Sequence, residues 1–249
     1  MSLRRLMLAA LLAATALPAF ALDLSAMTDA EREAFRAEVR SYLLENPEVL
    51  QEAIAVLDQR EQMAQVEADR ALVARNLDAI VNDGLSWIGG NPEGDITVVE
   101  FMDYRCGYCR RASPEVEALV AGDGNIRLIL REFPILGPQS ELASRFAIAV
   151  RQVHGDDAYK DVHDALMVLE ADIDEASLTR LAEALALDAA PVLDRLDSPE
   201  VSAVIEANHA LAQTLGISGT PTFVMGDQMV RGYVPLEGMR SIVEAEREG

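Results

Sequence analysis

Apolar residues recur along this chain at helical spacing over long stretches and in short β-branched runs between them, and the changes of period divide it into parts. Residues 28–83 are charged, alanine-rich and almost free of glycine, which predicts helix. Asn46-Pro47 interrupts the run, with Asn46 placed as an N-cap and Pro47 at the first helical position, so two helices are expected. In the second, Leu50, Ile54 and Leu57 are spaced four and three, and Met63, Val66, Arg70, Val73, Leu77 and Ile80 continue toward a heptad seam with one charged position. Such a seam reads either as an oligomerisation stalk or as an amphipathic helix lying on its own domain; the length of the segment favours the stalk. Gly89-Gly90-Asn91-Pro92-Glu93-Gly94 reads as a turn-rich linker that ends the helical region.

After it the pattern changes. Ile96, Val98, Val99 and Phe101 make residues 95–102 a buried strand, followed by a helix over about 106–121 and a strand over 126–133. Residues 138 to about 198 carry several short amphipathic helical patterns, rich in Ala and Leu, and predict an all-helical insertion. A helix over about 199–215, a strand at 220–225, a tight Gly226-Asp227 turn, a strand at 228–233 and a helix at 235–248 complete the chain. The order predicts an α/β fold around a small mixed sheet. The expected division is a signal peptide at 1–21, an N-terminal helical region at 22–88 and an α/β domain at 89–249.

The first segment rests on Arg4-Arg5, an apolar stretch over 6–17 and Ala19-Phe20-Ala21, a small-x-small cleavage site. That stretch is shorter than the ~20 residues of a membrane span, so the expectation is export without membrane insertion. Cleavage after Ala21 would leave 19 basic against 42 acidic residues and move the net charge from −21 to −23. Such a surface repels nucleic acid and anionic lipid, and reads as a solvated face rather than a binding site.

Both cysteines of the chain fall in one motif, Cys106-Gly107-Tyr108-Cys109. A bridge across two residues closes almost no loop and staples little, so the spacing favours chemistry over scaffolding. The motif follows a predicted strand and opens a predicted helix, where unpaired N–H groups and the helix dipole lower a thiol pKa from its ordinary ~8.5. Cys106 is therefore expected to be the exposed, acidic nucleophile and Cys109, one turn in, the more buried resolving thiol. A tetrahedral metal site would need further ligands; there is no other cysteine, and His154, His163 and His209 lie in helical stretches far from the motif. Two thiolates alone remain able to hold Cu(I) linearly. No small-molecule cofactor is implied. Farther on, Gly219-Thr220-Pro221-Thr222-Phe223-Val224 places a proline at a strand start.

Together Glu100-Phe101-x-x-x-x-Cys106-x-x-Cys109, the helical insertion and Gly-Ile-Ser-Gly-Thr-Pro-Thr-Phe at 216–223 resemble the DsbA-like thioredoxin-fold proteins of the bacterial cell envelope, over roughly residues 91–249. The Asn-Pro-Glu in the N-terminal helices and the phrase Val-Glu-Phe-Met-Asp-Tyr-Arg-Cys-Gly-Tyr-Cys-Arg are most similar to the suppressor-of-copper-sensitivity C and Com1-like branch. The resemblance implies a cis Pro221 beside the sulfurs, a Thr220 backbone that pairs with substrate, Gly107 and Tyr108 as the tuning and contact residues between the cysteines, and Glu100 as a buried acid moving protons to and from Cys109. It departs from the oxidases at the dipeptide: their Pro-His is Gly107-Tyr108 here, which implies a less acidic Cys106 and a pair less oxidising than the strongest oxidant at about −120 mV. Arg105 and Arg110 flank the motif, either compensating that lost charge or simply solvated.

The implied activity is disulfide exchange with unfolded or misfolded exported proteins in the periplasm, recharged by a membrane redox partner. Thr220 and the N-terminal helices favour isomerase or mixed oxidase and isomerase activity by a homo-oligomer. The alternatives are a copper-binding or copper-protective protein using the two cysteines as Cu(I) ligands, and an assembly scaffold in which the cysteines are dispensable.

Overall fold

The computed structural model describes residues 27–248, so the signal-peptide reading of 1–21 lies outside the described residues. The chain divides into two compact units between Arg60 and Glu61, inside a long helix.

In the first unit, α1 (Asp29–Glu45) starts at a capping box: Thr28 accepts from the Glu31 N–H, and the Glu31 carboxylate accepts from the Thr28 N–H at 2.8 Å. α2 (Glu48–Val81) follows. Asn46 caps the helix before it, not the helix after it: its backbone N–H and its Nδ2 both donate to the Tyr42 carbonyl at 2.9 Å. Pro47 has no N–H to offer that helix end, which leaves the task to Asn46. No residue of α1 is buried, and Phe35, Val39, Tyr42, Leu50, Ile54 and Leu57 are exposed.

The second unit is built on a five-stranded sheet of order β1 (Trp87–Gly90), β3 (Ile126–Glu132), β2 (Ile96–Met102), β4 (Thr222–Met225), β5 (Gln228–Arg231). Only β2 and β3 are parallel, joined by α3 (Gly107–Asp123); the other neighbours are antiparallel. Alternation along each strand assigns its side chains to faces. Val98 and Met102 of β2, Leu128 and Leu130 of β3 and Phe223 and Met225 of β4 enter the core shared with α3, with α4 (Pro138–His154), α5 (Asp156–Val168), α6 (Glu175–Ala184) and α7 (Ala189–Leu193), and with α9 (Leu236–Glu248). Val99, Phe101, Ile129 and Val224 enter a second core with the end of α2 and with Leu211 and Leu215 at the end of α8 (Pro199–Thr214) and just beyond it. Glu100 and Glu132 fall on the first face by the same period, and Arg127 and Arg131 on the second.

The seam expected along α2 divides. Val73 and Ile80 are buried in the second core, while Met63, Val66 and Leu77 are exposed. Arg70, the charged position of the seam, pairs with Asp227 at 3.1 Å and Glu246 at 3.5 Å. From Asp69 to its end the helix is therefore part of the sheet-bearing unit, and its last carbonyls, which no intrahelical N–H can reach, are met by arginines from β3. Arg131 Nη2 donates to the Ala79 and Ile80 carbonyls at 2.8 and 2.6 Å, and Arg127 Nη2 to Val81 at 3.0 Å. Arg131 Nη1 also pairs with Asp83 at 2.6 Å.

The Gly89-Gly90 linker reading is corrected at its start, because both glycines belong to β1 and pair with Leu128 and Arg127. The glycines are structural: a Cβ on Gly89 would strike the Trp87 ring, and Gly90, at φ +67°, would drive one into the Ile126 carbonyl. Trp87 in turn stacks on Tyr159 at 5.8 Å and donates from Nε1 to Asp156, tying β1 to the insertion.

Candidate functional site: a thiol pair at a helix start

β2 delivers the chain to the site through Asp103, which is fully buried. Its Oδ1 accepts from the Arg105 N–H and the Ser140 hydroxyl, its Oδ2 from the Ile135 and Leu136 N–H groups, and its carbonyl from the Cys106 N–H, all between 2.7 and 3.1 Å. One carboxylate thus joins the end of β2, the loop after β3 and the first turn of α4. Cys106 is the N-cap of α3, and although its side chain makes no cap hydrogen bond, the N–H groups of Tyr108 and Cys109 in the first turn favour a negative charge on its sulfur.

Both cysteines are free thiols. Cys106, expected to be exposed, is only 7% exposed, with the Thr220 backbone packed against its sulfur, and Cys109 is fully buried. Their chemistry is unequal. The Cys109 thiol donates to the Cys106 sulfur; this bond, Thr220 and the Tyr108 and Cys109 N–H groups outweigh burial and lower Cys106 to about 5. That lies above the ~3.5 of the strongest family oxidant. Cys109 is driven far upward, by the bond to Cys106, by burial and by Glu100. Glu100 is itself buried, with Oε1 lacking any partner, and is raised to about 8 by desolvation first, then by Cys106 and Glu117. A thiolate, a protonated thiol and a protonated carboxyl therefore sit in one cluster.

The Thr220–Pro221 bond is cis, and the Thr220 carbonyl lies 3.2 Å from the Cys106 sulfur, where it accepts from the protonated thiol form alone. The loop is held by Gly232 N–H to the Pro221 carbonyl at 2.9 Å and by the Thr222 hydroxyl to the Gly219 carbonyl at 2.8 Å. Beside it, Arg231 forms two bonds to the buried carboxylate of Asp69 from α2. A shallow depression lined by Ser218, Gly219, Thr220, Pro221, Arg231 and Gly232 borders it. Gly107 is exposed with nothing near its missing Cβ, so no other segment covers the chain at that position. Tyr108 is 62% exposed yet stacks on Tyr233 at 6.3 Å.

All seven residues singled out from the sequence, Cys106, Cys109, Glu100, Thr220, Pro221, Gly107 and Tyr108, lie at or beside the start of α3 or on the strands beneath it. Arg105 and Arg110, read either as compensating charge or as solvated, are tied down by backbone carbonyls. Arg105 donates to the Ala171 carbonyl at 3.3 Å, and Arg110 donates to the carbonyls of Tyr104, Leu166 and Leu169, so both clamp the motif to the insertion. Sequence reasoning missed Asp103, Asp69, Arg231 and Tyr233. Asp103 alone had a local signal, an acid three residues before the first cysteine; the others act through contacts across the chain. Among the described residues no group of three or more His, Cys, Asp or Glu side chains gathers as a metal site, and no helix is long and apolar enough to cross a membrane.

Comparison with known proteins agrees with this architecture. A thioredoxin-like oxidoreductase from Silicibacter pomeroyi is 44% identical, aligns over 69% of this chain and 98% of its own, and superposes with a TM-score of 0.65. A linker-deletion mutant of Proteus mirabilis ScsC is 27% identical over 91% of this chain and 99% of its own, with a TM-score of 0.65. Among curated proteins, the Na(+)/H(+) antiporter NhaA 3 of Salinispora tropica is 28% identical over 63% of this chain; the match spans 24% of the antiporter, about a quarter of its length. Residues 31–64 match the copper resistance protein ScsC N-terminal domain. Because residues 97–244, more than half of the chain, match the DSBA-like thioredoxin domain, the protein belongs to that family of thiol–disulfide oxidoreductase-like proteins, on its ScsC branch.

Proposed function

We propose that this protein exchanges disulfides with unfolded or misfolded exported proteins in the periplasm, acting as an isomerase or as a mixed oxidase and isomerase. The observation that carries the reading is the inequality of the two thiols: Cys106 lowered to about 5 at a helix start, Cys109 raised and set above a buried acid. The Cys106 thiolate attacks a substrate disulfide, forming a Cys106–substrate disulfide and expelling a substrate thiolate. Once Cys106 is in the mixed disulfide its negative charge no longer raises Glu100, which gives up its own proton to solvent and, as a carboxylate, takes the Cys109 proton at the resolving step. Cys109 then attacks Cys106, the substrate leaves as a thiolate, and the pair is oxidised as the substrate is reduced; running backward, the same steps oxidise a substrate. In isomerisation a substrate thiolate attacks the mixed disulfide instead and Cys106 is released unchanged. Net oxidation or reduction needs a membrane partner to recharge the pair.

The exposed apolar residues of the first unit support association between copies. Deleting the whole N-terminal region through residue 83 is an unsuitable test, because Asp69, Val73, Ile80 and Asp83 belong to the sheet-bearing unit. The test is reactivation of a scrambled-disulfide substrate in glutathione buffer by the mature chain and by Leu50→Lys/Ile54→Lys/Leu57→Lys. Strong activity that falls several-fold in the variant, as its assembly is lost, is the expected result; no activity in either form rejects isomerisation. A second reading, Cu(I) held by the two thiolates, draws support from the match to a copper resistance protein domain. It requires stoichiometric Cu(I) binding by the reduced protein together with weak shuffling.

A further inference from the structure

The exposed face of the motif is furnished from the far end of the chain. Tyr108, between the two cysteines, stacks on Tyr233, which follows β5, with centroids 6.3 Å apart and planes 28° from parallel. The Arg111 guanidinium lies 4.4 Å from the Tyr233 ring centre. Tyr233 is not free to turn away, since its hydroxyl donates to Glu115 Oε1 at 2.6 Å. Glu115 in turn is pinned by the Leu236 N–H, which donates to Oε2 at 2.6 Å. Two elements distant in sequence thus hold an aromatic pair beside the reactive thiol, and one of its rings is mostly in solvent. An exposed tyrosine needs no such anchoring to stay soluble.

Resting on the exchange reading above, we propose that Tyr108 and Tyr233, with Arg111, form a ledge that receives an aromatic side chain next to the substrate cysteine, and that Tyr233 is its positioning residue. A substrate sulfur bonded to Cys106 places its flanking residue beside the adjacent Tyr108 ring. The exposed ring face offers offset stacking, worth roughly a threefold to tenfold preference. Arg111 already faces the Tyr233 ring, and a chain of net charge −21 repels an acidic peptide, so a neutral aromatic residue is the better guest.

The experiment mixes pre-reduced full-length protein with synthetic peptides whose single cysteine, flanked by Trp, Gly or Asp, is disulfide-bonded to glutathione. The Cys106 thiolate displaces glutathione thiolate from the peptide sulfur; Cys109, losing its proton, then displaces the peptide thiolate, so two electrons pass from the pair to the substrate. Single-turnover rates are read from the loss of thiolate absorbance. The wild type is expected to react threefold to tenfold faster with the Trp peptide than with the Gly peptide. Tyr233→Ala and Tyr108→Ala bring that ratio near one, and Tyr233→Phe, which keeps the ring, retains most of it. General damage to the site would slow both peptides together and leave the ratio standing. Equal rates in the wild type, a preference for the Asp peptide, or a Trp preference that survives Tyr233→Ala overturns the ledge. If no peptide and no oxidised glutathione consumes the thiolate, the exchange reading itself fails.

Discussion

Glu100 and Glu132 make an instructive pair. Both sit on the same face of neighbouring parallel strands, both are about 2% exposed, and burial raises both, to about 8 and about 7. Their surroundings are opposite. Glu132 accepts from Tyr104 at 2.8 Å, Tyr159 at 2.7 Å and Ser144 at 2.7 Å, and Tyr104 also meets His163 Nδ1 at 3.2 Å. Those hydroxyls favour the charged form and pull Glu132 back against desolvation. Glu100 has two thiols above it and an oxygen with no partner. A buried carboxyl whose hydrogen bonds are complete holds elements together, whereas one left incomplete keeps proton capacity in reserve.

The comparison breaks most severely at Glu132. Glu132→Ala strands three buried hydroxyl donors and is expected to cost about 3–5 kcal/mol in urea unfolding, with exchange per folded molecule little changed. A loss under 1 kcal/mol would show that the network contributes little to stability. Glu100→Leu should go the other way, gaining about 1–3 kcal/mol by removing an unpaired buried polar group while slowing substrate release at least tenfold. Loss of both stability and rate would make Glu100 a structural residue like its neighbour.

The pH dependence sharpens the contrast with a smaller effect. In the disulfide form Cys106 does not titrate and its charge no longer adds to the shift of Glu100, but burial, the largest cause for both carboxyls, still makes them hold their protons longer in the folded protein than in the unfolded chain. The unfolded chain then binds fewer protons, so stability is full below the ordinary carboxyl range near pH 4.5 and falls as pH rises through the raised folded values, by at most ~1.4 kcal/mol per unit for each group. Glu100→Gln should flatten this fall between pH 6 and 8 more than Glu132→Gln does, as urea midpoints would report. Equal flattening would mean that the hydroxyls around Glu132 do not distinguish the two sites.

Much of this was legible beforehand for physical reasons. The strand over residues 96–102, the helix opened by the motif and the insertion follow from short-range periodicity, whereas the lowering of Cys106, expected from the helix start, owes most to the bond from Cys109. β1 was hidden because two glycines imitate a turn unless the Trp87 ring covering Gly89 is known. The α2 seam misled because a seven-residue spacing serves a partner helix and the chain's own sheet equally well. Asn46 could cap either helix until its amide had found the Tyr42 carbonyl.

By itself the sequence determined the quantities set by neighbours a few bonds or one turn away: the periods, the helix start and the spacing of the thiols. Only the tertiary structure decided that Glu100 and Glu132 share a face of the sheet, and that Glu132 meets three hydroxyls from Tyr104, Ser144 and Tyr159 while Glu100 meets a thiol pair. It also decided that Tyr233 stands beside Tyr108. The physical reason is that a buried group's proton affinity and a side chain's orientation depend on the atoms within a few ångströms, and those atoms come from segments that only the completed fold brings together.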